Sequence, residues 1–285
     1  MTLLQAILLG IVQGLTEFIP ISSTAHLVLA SRVMSLTLTP EQLTASIAVV
    51  QLGTLIAVLI YFAGDIWTIS LAFVRDHLAL FSGGKKSGAR LSHQAWLGWL
   101  VVIGSIPVAV VGLLFKKQIE GTFTKNLWVI ATMMVVIAVL LGVAELVGRK
   151  NRTMEDLSLK DALAMGFAQC LALIPGSSRS GSTIMAGLFV DEARETAARF
   201  SFLLSIPAVG ASGLLELKEA LHKLPPGSLA TLAVGTIVAG IVGYLSIWFL
   251  LRYLKTHTTA VFIGYRLIVG GAILIILFSG RLSGL

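Results

Sequence analysis

The chain has 285 residues, 56% of them hydrophobic and 12% charged, with a mean hydropathy of +0.93. Soluble domains carry about 25% charged residues, so the composition excludes a water-soluble enzyme and indicates a polytopic membrane protein. The net charge of +7 does not point to nucleic acid: the basic residues sit in short loops between apolar runs, where the positive-inside rule and anionic lipid account for them.

In chain order, residues 3–19 and 24–35 are each too short to span a bilayer and are joined by Pro20-Ile21-Ser22-Ser23. A first crossing is expected near 43–63. The segment 64–92 reads as the longest loop, with Asp65, Trp67 and Arg75 on a short interfacial helix. Crossings near 93–115 and 126–147 follow. Residues 160–174 and 180–190 then repeat the opening shape around Pro175-Gly176-Ser177-Ser178, and crossings near 197–217, 228–251 and 259–279 complete the chain. All six crossings are long enough for about 30 Å of hydrocarbon. Short apolar segments broken by Pro and Gly at corresponding places in two halves predict re-entrant helical hairpins, 3–35 and 160–190, whose tips meet near the midplane. The expected fold is all-α, one membrane domain of six spanning helices and two re-entrant hairpins. Its repeats are 1–150 and 151–285; three crossings per repeat make them inverted in topology.

Orientation follows from the loops. Arg75, Lys85, Lys86, Arg90, Arg149, Lys150, Arg152, Lys160, Arg194, Arg199, Arg252 and Lys255 fall on one side, against Arg32, Lys116, Lys117, Lys125, Lys218, Lys223 and Arg281 on the side of the termini. The excess predicts a multi-pass protein with both termini outside. No removable signal peptide is expected, since no basic leader precedes the first apolar run. The single cysteine, Cys170, excludes an internal disulfide and reads as a packing residue.

The two hairpins resemble each other residue by residue. Gly10, Gln13 and Leu15 match Gly166, Gln169 and Leu171 at an offset of 156, whereas Pro20, Ser22 and Ser23 match Pro175, Ser177 and Ser178 at 155, a one-residue gap. They also carry Glu17, His26 and Arg179, ionisable groups whose presence in lipid-embedded segments marks function by default. In the second, Pro175 to Thr183 reads as a turn feeding a helix N-terminus. Free N–H groups and the positive end of the helix dipole make an anion site there, and Arg179 can grip two phosphate oxygens. Ser178, Ser180, Ser182 and Thr183 add hydroxyls. The first hairpin sets Ser22, Ser23 and Thr24 at a second helix start, with His26 in its first turn. Gln13 and Glu17, four apart, share one helix face and are candidate ligands for a divalent cation. The bland alternatives are close helix packing by Ser and Gly, an ordinary N-cap, and a Glu17–Arg179 pair without chemistry. Convergence of all these groups on two facing turns favours phosphate handling. Arg266 stays open between a site contributor and a snorkelling residue, while Glu145 and His257, near span ends, read as solvated.

This combination resembles the bacterial undecaprenyl-pyrophosphate phosphatase family, the BacA/UppP bacitracin-resistance proteins. The resemblance covers the whole chain: the (Glu/Gln)-x-x-x-Glu pattern at Gln13 and Glu17, the run Pro20, Ser22, Ser23, Thr24, His26, the Pro-Gly-x-Ser-Arg-Ser-Gly-x-Thr pattern from Pro175 to Thr183, and Tyr265-Arg266. Ala25 stands where Gly is expected, and Gln at position 13 removes a charge that a metal site would use. The resemblance implies hydrolysis of undecaprenyl diphosphate to undecaprenyl phosphate and phosphate, recycling the carrier for peptidoglycan in the bacterial plasma membrane. It further implies a site on the outer face, help from Mg²⁺ or Ca²⁺, and no organic cofactor; a homodimer is left open. On this reading Ser23 is the nucleophile, His26 the general base or acid, Glu17 orients His26 or binds a cation, and Arg179 neutralises the transferred phosphoryl. Water as the nucleophile is the competing version. A transporter or flippase of polyprenyl phosphate, using the same midplane site, is the alternative class.

Overall fold

The computed structural model describes residues 1–36, 38–81, 91–115, 125–223 and 228–280. Among these, helices account for nearly all regular structure; the exception is an isolated bridge between Arg152 and Glu192. The helices are α1 (Leu3–Phe18), α2 (Ser23–Val33), α3 (Pro40–Tyr61), α4 (Ala63–Phe81), α5 (His93–Leu114), α6 (Leu127–Val147), α7 (Leu159–Cys170), α8 (Arg179–Phe189), α9 (Arg194–Lys223), α10 (Ser228–Leu254) and α11 (Ala260–Phe278). Short 3₁₀ turns cover Met154–Asp156 and Leu171–Leu173. Local chemistry sets many of the starts. Thr2 with Gln5 and Thr39 with Gln42 form capping boxes, Pro40 occupies a first-turn position that needs no N–H, and Asn126 caps α6.

Six of these helices, α3, α5, α6, α9, α10 and α11, contain apolar windows long enough to cross a bilayer, at the six places expected. The protein is thus a multi-pass membrane protein. Its outward faces, such as Ile56 and Ile60 on α3 or Ile268 and Ile275 on α11, are apolar and exposed, as lipid contact requires. The segment after α3 differs from expectation. In place of a short interfacial helix in a long loop, α4 begins two residues after α3 ends and runs for 19 residues. Gly64 and Asp65 fall in its first turn, so the sequence between Ala63 and Phe81 holds nothing that would stop a helix. The turn-rich stretch 83–88 lies outside the described residues.

Packing follows a pattern of exchange between the halves. Helix α1 packs on α10, and its counterpart α7 packs on α5; α3 lies against α9, and α6 against α11. These pairings are compatible with an inverted repeat. Both swapped pairs use the same device: a Cβ placed on Gly10 would stand 2.3 Å from the Gly235 carbonyl oxygen, and one on Gly166 would stand 2.3 Å from that of Gly104. Behind the hairpin tips, Phe18 meets Phe202 edge-on at 5.2 Å within a core that also includes Val58, Phe62, Ile184 and Ile247. That core joins α1, α3, α8, α9 and α10 and fixes both tips against the spans.

Candidate active site

Each hairpin turns through a serine with positive φ, 79° at Ser22 and 68° at Ser178. Such a backbone is unusual for a residue with a Cβ and is held by what the side chain does. Ser22 Oγ accepts from Ala25 N and Ser178 Oγ accepts from Gly181 N, so each serine caps the helix it introduces. The backbone therefore pairs Ser22 with Ser178. The letters pair Ser22 with Ser177 through a one-residue gap, but the folded hairpins keep a constant offset of 156 and need none. Position for position, Ser23 at the start of α2 then corresponds to Arg179 at the start of α8.

Both of these residues reach Glu17. Arg179 Nη2 donates to Glu17 Oε1 at 2.9 Å, and Ser23 Oγ donates to Oε2 at 3.1 Å. Gln13 Nε2 adds a bond to Oε2 at 2.9 Å, and Gln51 Nε2 one to Oε1 at 3.4 Å. Glu17 is 7% exposed, so this carboxylate sits in a poorly solvated place with four donors around it. The set is left incomplete on one side. Arg179 Nε and Nη1 and Gln13 Oε1 are buried and have no protein partner. A narrow, half-open cleft runs beside Glu17 and Arg179, lined also by Thr54, Leu55, Val58 and Val209. Buried polar atoms without partners are rare, and a guanidinium edge with unpaired N–H groups has the geometry to accept a carboxylate or phosphate.

His26 is placed differently from expectation. Its Nδ1 lies 2.7 Å from the Ser22 carbonyl oxygen and its Nε2 lies 2.6 Å from the Tyr265 hydroxyl. Neither ring nitrogen has Ser23 or Glu17 as its partner. The reason is local: in the first turn of α2 the ring folds back on its own N-cap carbonyl. Arg266 resolves into neither of the two expected roles. It is fully buried and donates to Pro20 O, Gly176 O and Ser177 O, the carbonyls of both turns, and to Met133 O and Met134 O on α6.

Against this geometry stand the relatives. The family model for bacitracin resistance protein BacA matches residues 6–272. The chain is 53% identical over 280 residues to the undecaprenyl-diphosphatase of Syntrophobacter fumaroxidans, covering 98% of both chains. It is 48% identical over 289 residues to that of Mycolicibacterium gilvum, covering 100% of both, and 48% identical over 291 residues to that of Chlorobium phaeovibrioides, covering 99% of both. The chain belongs to the BacA family.

The other motif residues of this BacA-family chain divide by what they touch. Ser180 Oγ lies 3.2 Å from Ser178 Oγ and donates to Ile19 O, linking one tip to the other. Thr183 Oγ1 is spent inside the protein, on Arg179 O at 2.8 Å and Ser201 Oγ at 2.6 Å. Ser177 and Ser182 are buried with unpartnered hydroxyls, and Thr24 is partly exposed at the helix start. Gln169, the counterpart of Gln13, is buried with both amide atoms unpartnered; nothing in the structure explains it. Glu145, read as solvated, instead accepts from Arg194 and from Thr259 Oγ1, tying α6 to α9 and α11. Sequence reasoning passed over Gln51 and Thr54 on α3. The signal was there, since an amide in the middle of an apolar span is costly unless it serves a site.

Proposed function

We propose that this protein hydrolyses undecaprenyl diphosphate to undecaprenyl phosphate and inorganic phosphate, and so contributes to envelope polymer synthesis and bacitracin resistance. The observation that carries the reading is the unsatisfied guanidinium edge of Arg179, buried beside Glu17 and Ser23 in a chain whose relatives bear the name of that activity. Phosphoryl transfer depends chiefly on positioning and on charge stabilisation, and this site offers both. Arg179 Nε and Nη1 would hold oxygens of the terminal phosphate, helped by the free N–H groups at the starts of α2 and α8.

Ser23 Oγ would attack the terminal phosphorus. The bond to the bridging oxygen breaks, undecaprenyl phosphate leaves, and the serine proton passes to Glu17 Oε2, its hydrogen-bond acceptor. Water then attacks the phosphoserine, releasing phosphate and restoring the hydroxyl. The geometry thus favours Glu17, not His26, as the group that accepts the proton of Ser23. The polyprenyl tail would stay in lipid beside the apolar residues of the cleft, Leu55, Val58 and Val209.

A divalent cation fits in a limited way. Among the described residues no group of three His, Cys, Asp or Glu side chains could hold one, but Glu17 and the unpartnered Gln13 Oε1 supply two oxygen donors. Mg²⁺ bound to phosphates commonly takes no more than that from protein. Its contribution when bound is to neutralise diphosphate charge.

The basic bias of the loops supports both termini outside, and the bacterial relatives support a bacterial plasma membrane location. The test is release of phosphate from undecaprenyl diphosphate by purified protein in detergent, where no gradient exists. Release supports the hydrolase; binding without release would select a transporter.

A further inference from the structure

The phosphatase reading leaves His26 without a substrate-facing role, and its two contacts define one. The Ser22 carbonyl can only accept, so at 2.7 Å it requires the proton on Nδ1. Nε2 is therefore the nitrogen that gains and loses a proton, and it lies 2.6 Å from the Tyr265 hydroxyl. The two rings stand 5.5 Å apart and 18° from parallel, a stacked pair whose polar ends meet at the hydroxyl–Nε2 contact. Among the described residues His26 is the hydrogen-bond partner of the Tyr265 hydroxyl, which leaves that oxygen a further bonding position. The backbone beside it is fixed: the next residue, Arg266, holds the carbonyls of both hairpin turns. This hydroxyl is thus anchored at the first turn of α2, whose leading residue Ser23 touches Glu17.

Resting on the phosphatase reading, we infer that Tyr265 is a further catalytic residue, whose hydroxyl carries the proton from His26 to the leaving group. The step balances. As the bond between the terminal phosphorus and the bridging oxygen breaks, that oxygen takes the phenolic proton of Tyr265. The phenolic oxygen takes the Nε2 proton of the His26 imidazolium. The imidazole ends neutral with its remaining proton on Nδ1, still donated to Ser22 O. No tyrosinate forms, and neither the Ser23–Glu17 contact nor the Arg179 contact has to move.

The experiment measures release of phosphate from undecaprenyl diphosphate across pH for the parent, Tyr265→Phe, His26→Gln and the double variant, all in detergent. Tyr265→Phe is expected to lower kcat by about 10²-fold, the usual scale for a general acid, with KM within about threefold. The alkaline limb of the parent profile, which reports the loss of the His26 proton, should vanish in Tyr265→Phe. The double variant should be no slower than the slower single one, as for residues acting in one step. Losses that multiply, or a Tyr265→Phe profile that keeps the parental limb, would overturn the relay. A merely structural tyrosine would lower the unfolding temperature without erasing the limb, which also counts against it. If the parent releases no phosphate, the phosphatase reading falls and takes the relay with it. If the parent is active and Tyr265→Phe matches it, only the relay falls.

Discussion

Ser23 and Arg179 occupy equivalent first positions of two short helices, and each donates to a different oxygen of the same carboxylate, Glu17. Two turns of like backbone thus present a hydroxyl in one place and a guanidinium in the other. Where the two turns meet, a hydroxyl and a guanidinium are both within hydrogen-bond reach of one carboxylate. Arg179 makes one bond to Glu17 and keeps two N–H-bearing atoms free, so it can hold phosphate without releasing the carboxylate. Arg179→Ala should lower turnover by about 10³ or more, the scale of losing a preorganised charge donor. Arg179→Lys should recover little, because one ammonium cannot serve Glu17 and a phosphate in the same fork. Initial-rate phosphate release, with unfolding temperatures measured alongside, checks both.

The covalent route through Ser23 makes a separate demand. Acid-quenched protein, taken during turnover of undecaprenyl diphosphate, should carry a phosphate on Ser23 by peptide mass spectrometry. Ser23→Ala should lose about 10³ in rate, and Glu17→Gln should fall comparably because its amide cannot take the serine proton. Near-parental turnover in Ser23→Ala would leave water as the nucleophile and Ser23 as a ligand.

How much of this was legible beforehand varies with the physics involved. The six spans and both hairpins stand where hydropathy and the Pro-centred turns put them, because apolar length and helix breakers act locally. The convergence of Glu17 with Arg179 was also readable, since two broken helices leave little else for these charges to meet. The placement of His26 was not. Spacing places it near Ser23, but the competing pull of its own N-cap carbonyl is a matter of rotamer, which sequence spacing does not encode. Arg266 shows the same limit: its five carbonyl acceptors come from three separate segments that only the assembled fold brings together. The extent of α4 was missed for a different reason. Its more buried face, Ile66, Ile69, Ala72, Phe73 and His77, recurs at helical spacing, but Asp65, Arg75 and Asp76 interrupt the apolar run on which a span reading depends.

The buried guanidinium of Arg266 is the tie between the two turns, and its replacement should affect folding and rate together. Arg266→Met would leave the carbonyls of Pro20, Gly176 and Ser177 buried without donors. A buried acceptor left without its donor costs about 1–3 kcal/mol. Arg266→Lys keeps the charge but cannot span both turns. A marked fall in unfolding temperature is expected for both, with turnover reduced at least about 10²-fold in whatever protein remains folded.

The glycine contacts that repeat between the halves give a sharper packing test. Gly166→Ala would drive a methyl group to 2.3 Å from a backbone oxygen of α5, and Gly10→Ala would do the same against α10. Neither neighbour is a movable side-chain end, so α7 or α1 must shift bodily, at a cost of about 1–3 kcal/mol or more. Gly271 lies in α11 with nothing within 4 Å of its missing Cβ. Gly271→Ala should therefore be neutral or stabilising by up to about 1 kcal/mol. Thermal unfolding in detergent distinguishes the three; equal behaviour would refute the close helix approach.

Away from the tips, Glu192 links α8 to α9 at the end of the second hairpin and yields a pH dependence. Its carboxylate is completely buried and both oxygens lack a partner. Burial, with Asp161 nearby, pushes its pKa up to about 8 from 4.5, against the opposing pull of Arg152. Arg152 cannot neutralise it fully, since that guanidinium is already engaged with Asp161 through Nη2 at 2.7 Å. The native state thus holds a proton that the unfolded chain releases near 4.5. Between that value and about 8 the folded form binds more protons, so stability falls as pH rises across the window and levels off above it. Glu192→Gln keeps the shape and removes the titration. Its unfolding temperature should match the parent near pH 4.5 and exceed it by a growing margin up to about pH 8, where the difference is largest. A parent and variant whose unfolding temperatures run parallel across this range would mean that Glu192 is charged and solvated in the folded protein.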